Sequence, residues 1–271
     1  MKLSIIADEI SKDPHAAVHI GTKQLDIHQY ELRFIMNCRV PDITSEQAEE
    51  LLWIKERYDI SYSAIAAGLF KCLPDQVALD KQMERMERAI KLAKKLGAKT
   101  VTGFALHDVE RHRTEEFKEI IVPYLQETCR QAAAEGLTFA VETEYMTGCE
   151  TAKDARELVG RVGQHLKVNW DPANCWVAGE HPLEGYEQVK GLIANMHVKD
   201  VDTRDWRSRN PFVGFGDGLV PWTRLLPILY RDQTVERLTV ETHIQPHITK
   251  TEKGVARLRS ILNELYRMPV A

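Results

Sequence analysis

Along this chain the spacing of apolar and polar positions switches repeatedly between two patterns. Eight short runs are rich in apolar and β-branched residues and read as strands: LSIIA (3–7), YELRFI (30–35), ISYSAIA (60–66), KTVTGFAL (99–106), LTFAVET (137–143), LKVNW (166–170), ANMHVKD (194–200) and RLTVETH (237–243). Most of the segments between them adopt a three/four spacing. In residues 79–97, Leu79, Met83, Met86, Ile90, Ala93 and Leu96 share one helix face, and Gly97 supplies the stop. Residues 44–58 open on Thr44 and Gln47, a capping-box pair, and carry Leu51, Leu52, Ile54 and Tyr58. Residues 116–136 form a third helix, in which Pro123 predicts a kink or a late start. Residues 151–163 and 254–268 complete the helices that the pattern shows.

No Gly/Ser linker, low-complexity tract or shift in composition divides residues 1–271, so one domain is expected. Strands alternating with helices imply parallel pairing and right-handed crossovers. Eight such units in this length predict a closed (β/α)8 barrel, the TIM-barrel architecture of the α/β class. An open doubly wound sheet is the alternative, and it lacks a strand–GxGxxG–helix unit.

Composition narrows the function. With 44% hydrophobic and 28% charged residues the chain reads as an ordinary globular protein. A net charge of −4 and a pI near 6.2 offer no broad basic face, which weighs against nucleic acid as a partner. The five cysteines, Cys38, Cys72, Cys129, Cys149 and Cys175, are scattered without a CxxC, as in a reducing cytoplasm. MKLSIIADEI begins a strand rather than a signal peptide, and no run reaches the roughly 18 apolar residues a membrane span requires. A cytoplasmic enzyme without membrane contact is the expectation.

In a barrel, the carboxyl ends of the strands converge on one mouth. The fifth strand ends at Glu142, the sixth at Asp171, the seventh at His197 and the eighth at Glu241. Alone, each acid would be an ordinary solvated residue, and a lone histidine is more often structural. Together they form an oxygen-rich set suited to Mn²⁺, Mg²⁺, Co²⁺ or Zn²⁺. Three crowded carboxylates would otherwise repel one another, and a divalent ion removes that cost.

The ordered set VETEY, VNWDPAN, MHVKD, VGFGDGLVPW and TVETH resembles the xylose-isomerase-like TIM barrels, the sugar (phosphate) isomerases and epimerases that also include the abasic-site endonucleases. ADEI, YELR and SAIAAGLFKC extend the resemblance over nearly the whole chain. It implies one divalent metal, most often Mn²⁺, held by Glu142, Asp171, His197 and Glu241, with Glu142 and Glu241 as the groups that move protons. Two departures matter. Asp171 is followed by Asn174 where epimerases and endonucleases have Asp-x-x-His, and KDVDTRDW lacks the endonucleases' Asp-x-His. DNA repair is therefore not expected.

Such a site predicts isomerisation or epimerisation of a small polyhydroxy aldehyde or ketone through an enediolate. Dehydration of a keto-sugar, keto-inositol or related acid is the alternative, and a non-catalytic carbohydrate-binding barrel a more distant one. Candidate substrate contacts are Asn174, Lys199, Glu31, Arg33, Lys71 and His107, with Asp8, Glu9 and His243 also near the rim. Lys199 can instead bridge Asp171 or Glu241, and Glu31 and Arg33 can pair with each other. The absence of a dense Arg/Lys cluster favours an unphosphorylated substrate. GFGDG (214–218) reads as a glycine turn or a gate, and Trp206, Phe212, Phe215 and Trp222 around it suggest a lid or a contact within a homo-oligomer.

Overall fold

The computed structural model describes residues 1–108, 114–204, 210–244 and 247–267. Eight parallel strands close into a barrel: β1 (Lys2–Ile6), β2 (Gln29–Leu32), β3 (Ser61–Leu69), β4 (Thr100–Gly103), β5 (Thr138–Glu142), β6 (Leu166–Trp170), β7 (Ile193–Val198) and β8 (Arg237–Val240). Each pairs with its sequence neighbours, and β1 closes the ring on β8 with Lys2 opposite Arg237 and Ile5 opposite Val240. The described helices are α1 (Pro14–Lys23), α2 (Ser45–Tyr58), α3 (Gln76–Leu96), α4 (Thr114–Ala134), α5 (Ala152–Val162), α6 (Pro172–Val177), α7 (Pro182–Val189), α8 (Trp222–Asp232) and α9 (His247–Arg267). The chain is a single-domain (β/α)8 barrel.

Local chemistry explains the element ends. Thr44 and Gln47 form the expected capping box at α2, and Thr151 and Asp154 form another at α5. Gly97 ends α3 in the left-handed region at φ 77°. Helix α4 runs through Pro123 rather than starting after it. Helices α1, α6 and α7, each with proline in its first turn, lacked a periodic stretch long enough to show in the pattern.

The run YELRFI is not one strand. Strand β2 stops at Leu32, and Phe34–Ile35 turns back to pair with Cys38–Arg39 in a small hairpin over the mouth. Arg33, at the break, is drawn to Asp8, Glu9 and Glu241. ANMHVKD also divides, for Asp200–Val201 leaves the barrel and pairs with Phe212–Val213.

The glycine segment wraps a carboxylate. Backbone N–H groups of Gly216, Gly218 and Val220 donate to Asp200, and a Cβ at Gly218 would lie 2.1 Å from Asp200 Oδ1. This is an anion nest already filled by the protein's own side chain. Trp222 Nε1 donates to the Lys199 carbonyl, fixing the same loop from the other side. Phe215 stacks on Trp222, and Phe212 reaches His243, with ring centroids 5.3 Å apart. Trp206 lies outside the described residues.

Candidate metal centre

The strand ends converge as the barrel geometry requires. Glu142 closes β5, Asp171 follows β6, His197 is the penultimate residue of β7 and Glu241 follows β8; all four are buried. One ligand atom from each lies within 4.8 Å of all the others. Register sets this up: Glu142 lies opposite Asn169 on β6, and His197 opposite Thr239 on β8. Glu142 and His197 therefore approach across β6, while Glu241 reaches His197 directly.

His197 defines the centre. Its Nδ1 is 3.3 Å from Glu142 Oε1 and 3.2 Å from Glu241 Oε2, and its Nε2 is 3.0 Å from Glu31 Oε1. Glu31 is held by Asn195 Nδ2 at 2.7 Å, and Asn195 also donates to Asn169, which donates to Glu142. Asn169 and Asn195 were not singled out in the sequence, although each shares strand parity with a ligand two residues on. Asp171 divides its two oxygens. Oδ1 caps α6 by accepting from the Ala173 and Asn174 N–H groups, while Oδ2 faces the cluster.

Besides any metal ion, the chain's own cations compensate the carboxylates, and Lys199 makes the bridge that the sequence offered as its alternative role. Lys199 Nζ lies 2.8 Å from Asp171 Oδ2 and 3.0 Å from Glu241 Oε2. Arg33 reaches Glu241 Oε1 at 2.6 Å, Asp8 at 2.7 Å and Glu9 at 2.8 Å. Burial alone would raise the Glu142 and Glu241 carboxyls; His197 outweighs it at Glu142, and His243, Lys199 and His197 outweigh it at Glu241, so both lie below the ordinary range. Burial wins at Asp171, raising it despite Lys199. Burial opposes a charged His197, but Glu31, Glu142 and Glu241 together hold its pKa well above the usual value.

These residues still fit a divalent cation. Two buried atoms of the cluster, His197 Nδ1 and Asp171 Oδ2, have no hydrogen-bond partner. Lys199 is near Asp171 Oδ2 in distance without hydrogen-bond alignment. Both atoms face the carboxylates of Glu142 and Glu241, so an imidazole nitrogen and three carboxylates are presented to one point. Glu31 on the opposite nitrogen supplies the outer partner that orients a ligating imidazole. A second group, Glu9, Glu241 and His243, also clusters, but Arg33 already bridges its two acids.

The remaining candidates divide. A mouth cavity of about 320 Å³ is lined by Ile6, Arg33, Phe34, Arg39, Ala66, Lys71, Phe104, Glu142, Glu144, His197, Glu241 and His243. Lys71 pairs with Glu144 at 3.2 Å and lies over the Phe104 ring. Burial pushes the Glu144 carboxyl above its ordinary value despite Lys71. His243 Nε2 is 2.9 Å from Glu241 Oε1, which puts it beside that carboxylate at the rim. Glu31 and Arg33 do not pair with each other: Glu31 points inward beneath His197, while Arg33 leaves the strand for Asp8 and Glu9. Asn174 and His107 are not brought to the cavity. Asn174 Nδ2 donates to the Thr143 carbonyl, and His107 bridges to Thr147. Arg39 and Glu144 were missed as cavity residues because neither lies on a barrel strand whose parity marks it.

The fold is a (β/α)8 barrel whose carboxylate–histidine mouth suits a metal ion. Residues 17–261 match the xylose isomerase-like TIM barrel family, and the chain belongs to it. Among curated proteins it is 24% identical over 193 residues to 3-dehydroshikimate dehydratase of Bacillus anthracis, a match spanning 69% of this chain and 62% of that protein. Among solved structures it resembles the IOLI protein with a bound zinc atom (TM-score 0.82, 18% identity, 99% and 100% of the two chains). It also resembles D-allulose 3-epimerase from Methylomonas sp. in complex with D-allulose (TM-score 0.78, 13% identity, 96% of each). At these identities the structural likeness establishes the fold. Among the described residues, no helix is long and apolar enough to cross a membrane.

Proposed function

We propose that this protein is a divalent-metal-dependent isomerase or epimerase that moves a proton beside the carbonyl of a small polyhydroxy aldehyde or ketone. The observation that carries this reading is the placement of Glu142 and Glu241 at the ends of separate strands, 3.3 and 3.2 Å from the same imidazole nitrogen. Glu142, Asp171, His197 Nδ1 and Glu241 would hold the cation, with Mn²⁺ the first choice, and its charge would pull on a carbonyl oxygen and so make the neighbouring C–H more acidic. One glutamate takes that proton and the other returns one. Return to the opposite face of the carbon inverts it, and return to the adjacent carbon interchanges aldose and ketose. Lys71 lines the cavity and offers an ammonium group to substrate oxygens, Lys199 beside it can do so once it leaves Asp171 and Glu241, and Arg33 with His243 hold Glu241 in orientation. Family membership and an epimerase of the same fold support the reading.

A second reading is favoured by the curated relative, a 3-dehydroshikimate dehydratase. The same proton removal followed by loss of a β-hydroxyl as water makes the enzyme a lyase. Proton NMR in D₂O with Mn²⁺-loaded protein separates the two, using D-fructose, D-allulose, L-ribulose and 3-dehydroshikimate. Isomerase or epimerase action exchanges a carbon-bound proton without loss of mass, whereas a lyase releases water. Glu142→Gln and Glu241→Gln are each expected to lower turnover by about 10³-fold or more. Wild-type turnover in either variant contradicts the proton-transfer assignment. Binding without exchange or elimination, with any of the four metals, leaves a carbohydrate-binding barrel.

A further inference from the structure

The positive groups lining the mouth are matched to acids with one exception. Arg33 meets Asp8, Glu9 and Glu241; Lys71 meets Glu144; His197 meets Glu31, Glu142 and Glu241; His243 meets Glu9 and Glu241. Lys199, beside the cavity, meets Asp171 and Glu241. Among the described residues lining the cavity, Arg39 is the cation without a carboxylate in ion-pair range.

Arg39 is nonetheless held in place. Its Nε donates to the Ala66 carbonyl at 3.3 Å, and its Cζ lies 5.3 Å from the centroid of the Phe34 ring. It rests in the space left by Gly68, where a Cβ would lie 2.3 Å from Nε, and the positive φ of 62° at Gly68 also favours glycine. Neither Nη atom has an acceptor among the described residues. Burial, with repulsion from Arg33 and Arg85, pushes the guanidinium pKa below its ordinary value although Glu142 and Asp8, beyond ion-pair range, pull it up. A fixed fork with free N–H donors beside a catalytic cavity is suited to a planar anion.

We infer that Arg39 receives a carboxylate of the substrate, so that the compound turned over is a polyhydroxy carbonyl acid rather than a neutral sugar; this deepens, and rests on, the reading of the mouth as a site of carbonyl chemistry. A phosphate group offers the same fork an anion. It carries nearly two charges near neutral pH, whereas one unmatched cation balances the single charge of a carboxylate. A cavity of about 320 Å³ lies at the small end of ligand sites and fits an acid of six or seven carbons.

The test is calorimetric titration of the full chain, both metal-free and Mn²⁺-loaded. The probes are 3-dehydroshikimate, 2-keto-D-gluconate and D-galacturonate, each beside its methyl ester, with D-ribulose 5-phosphate as the phosphate arm. In the wild type at least one acid is expected to bind at least about tenfold tighter than its neutral ester. Arg39→Gln should erase that difference, and Arg39→Lys should keep part of it, with near-UV circular dichroism unchanged. Acids binding no tighter than esters overturn the inference, a comparison that needs no variant. So does unchanged acid affinity in Arg39→Gln, or Arg39 dependence confined to the phosphate ester. Failure of the metal chemistry would instead appear as no exchange or elimination in D₂O, with the acid preference of metal-free protein still measurable. Turnover of neutral ketoses as fast as of the acids would overturn the carboxylate assignment and leave the proposed reaction standing.

Discussion

Asp171 and His197 each face two ways, and that division explains the centre at the level of single atoms. One oxygen of Asp171 is fixed by the N-terminus of α6, which leaves the other aimed at the cluster. One nitrogen of His197 is taken by Glu31, which leaves Nδ1 facing Glu142 and Glu241. Glu31 is therefore placed to orient His197 from beneath and does not line the cavity. Glu31→Gln is expected to weaken Mn²⁺ binding by about 10- to 100-fold, with the fold retained. Titration calorimetry checks this, and an unchanged dissociation constant would remove the role assigned to Glu31. The four cluster residues were legible in the sequence because each ends or follows a strand whose apolar run is plain. Partner choice was not legible. Parity placed Glu31 and Arg33 on one face, but Arg33 lies past the last paired residue of β2, where parity no longer governs direction. Arg39 had no signal at all, since a two-residue hairpin strand carries no period.

At the scale of elements, the acids and bases outside the mouth tie neighbouring helices together. Lys118 on α4 is buried and reaches Asp154 at 2.8 Å and Glu157 at 2.9 Å, both on α5. Burial would raise Asp154, but hydrogen bonds from Lys118 and Thr151 outweigh it and hold the carboxyl below its ordinary value of 3.8. A carboxyl depressed in the folded state stabilises fully above its unfolded pKa, and that stabilisation is lost as pH falls through the lower folded value. Lys118→Met is thus expected to cost about 1–3 kcal/mol at neutral pH, because Asp154 and Glu157 remain partly solvated. Denaturant unfolding at neutral pH and at successive values below 3.8 measures it. The gap between wild type and variant should narrow as Asp154 protonates, and a gap independent of pH would contradict the ion-pair account. The same scale shows why some elements were missed. Helix α6 has six residues and is capped by Asp171, too short for a helical period. The glycine segment read as a turn or a gate because its anion, Asp200, lies 16 or more residues before the N–H groups that hold it, and sequence spacing cannot show that closure.

Across the whole molecule, the barrel makes a site from residues that are far apart in the chain. Glu31 and His197 lie 166 residues apart in sequence yet 3.0 Å apart in space, and Arg33 meets Glu241 across 208. Architecture was the most legible level because eight repeats of one pattern reinforce one another, whereas each side-chain pairing depends on a single local geometry. The protein's own cations, Lys199 and Arg33, share the carboxylates with any metal that enters, so a divalent ion must displace the Lys199 ammonium from Asp171 and Glu241. The most direct test is anomalous-difference density from a Mn²⁺-soaked crystal, collected at the manganese edge. One strong peak is expected about 2.0–2.4 Å from Glu142, Asp171 Oδ2, His197 Nδ1 and Glu241, with Lys199 moved off the two acids. No peak there, with Lys199 still bridging Asp171 and Glu241, would contradict the metal site.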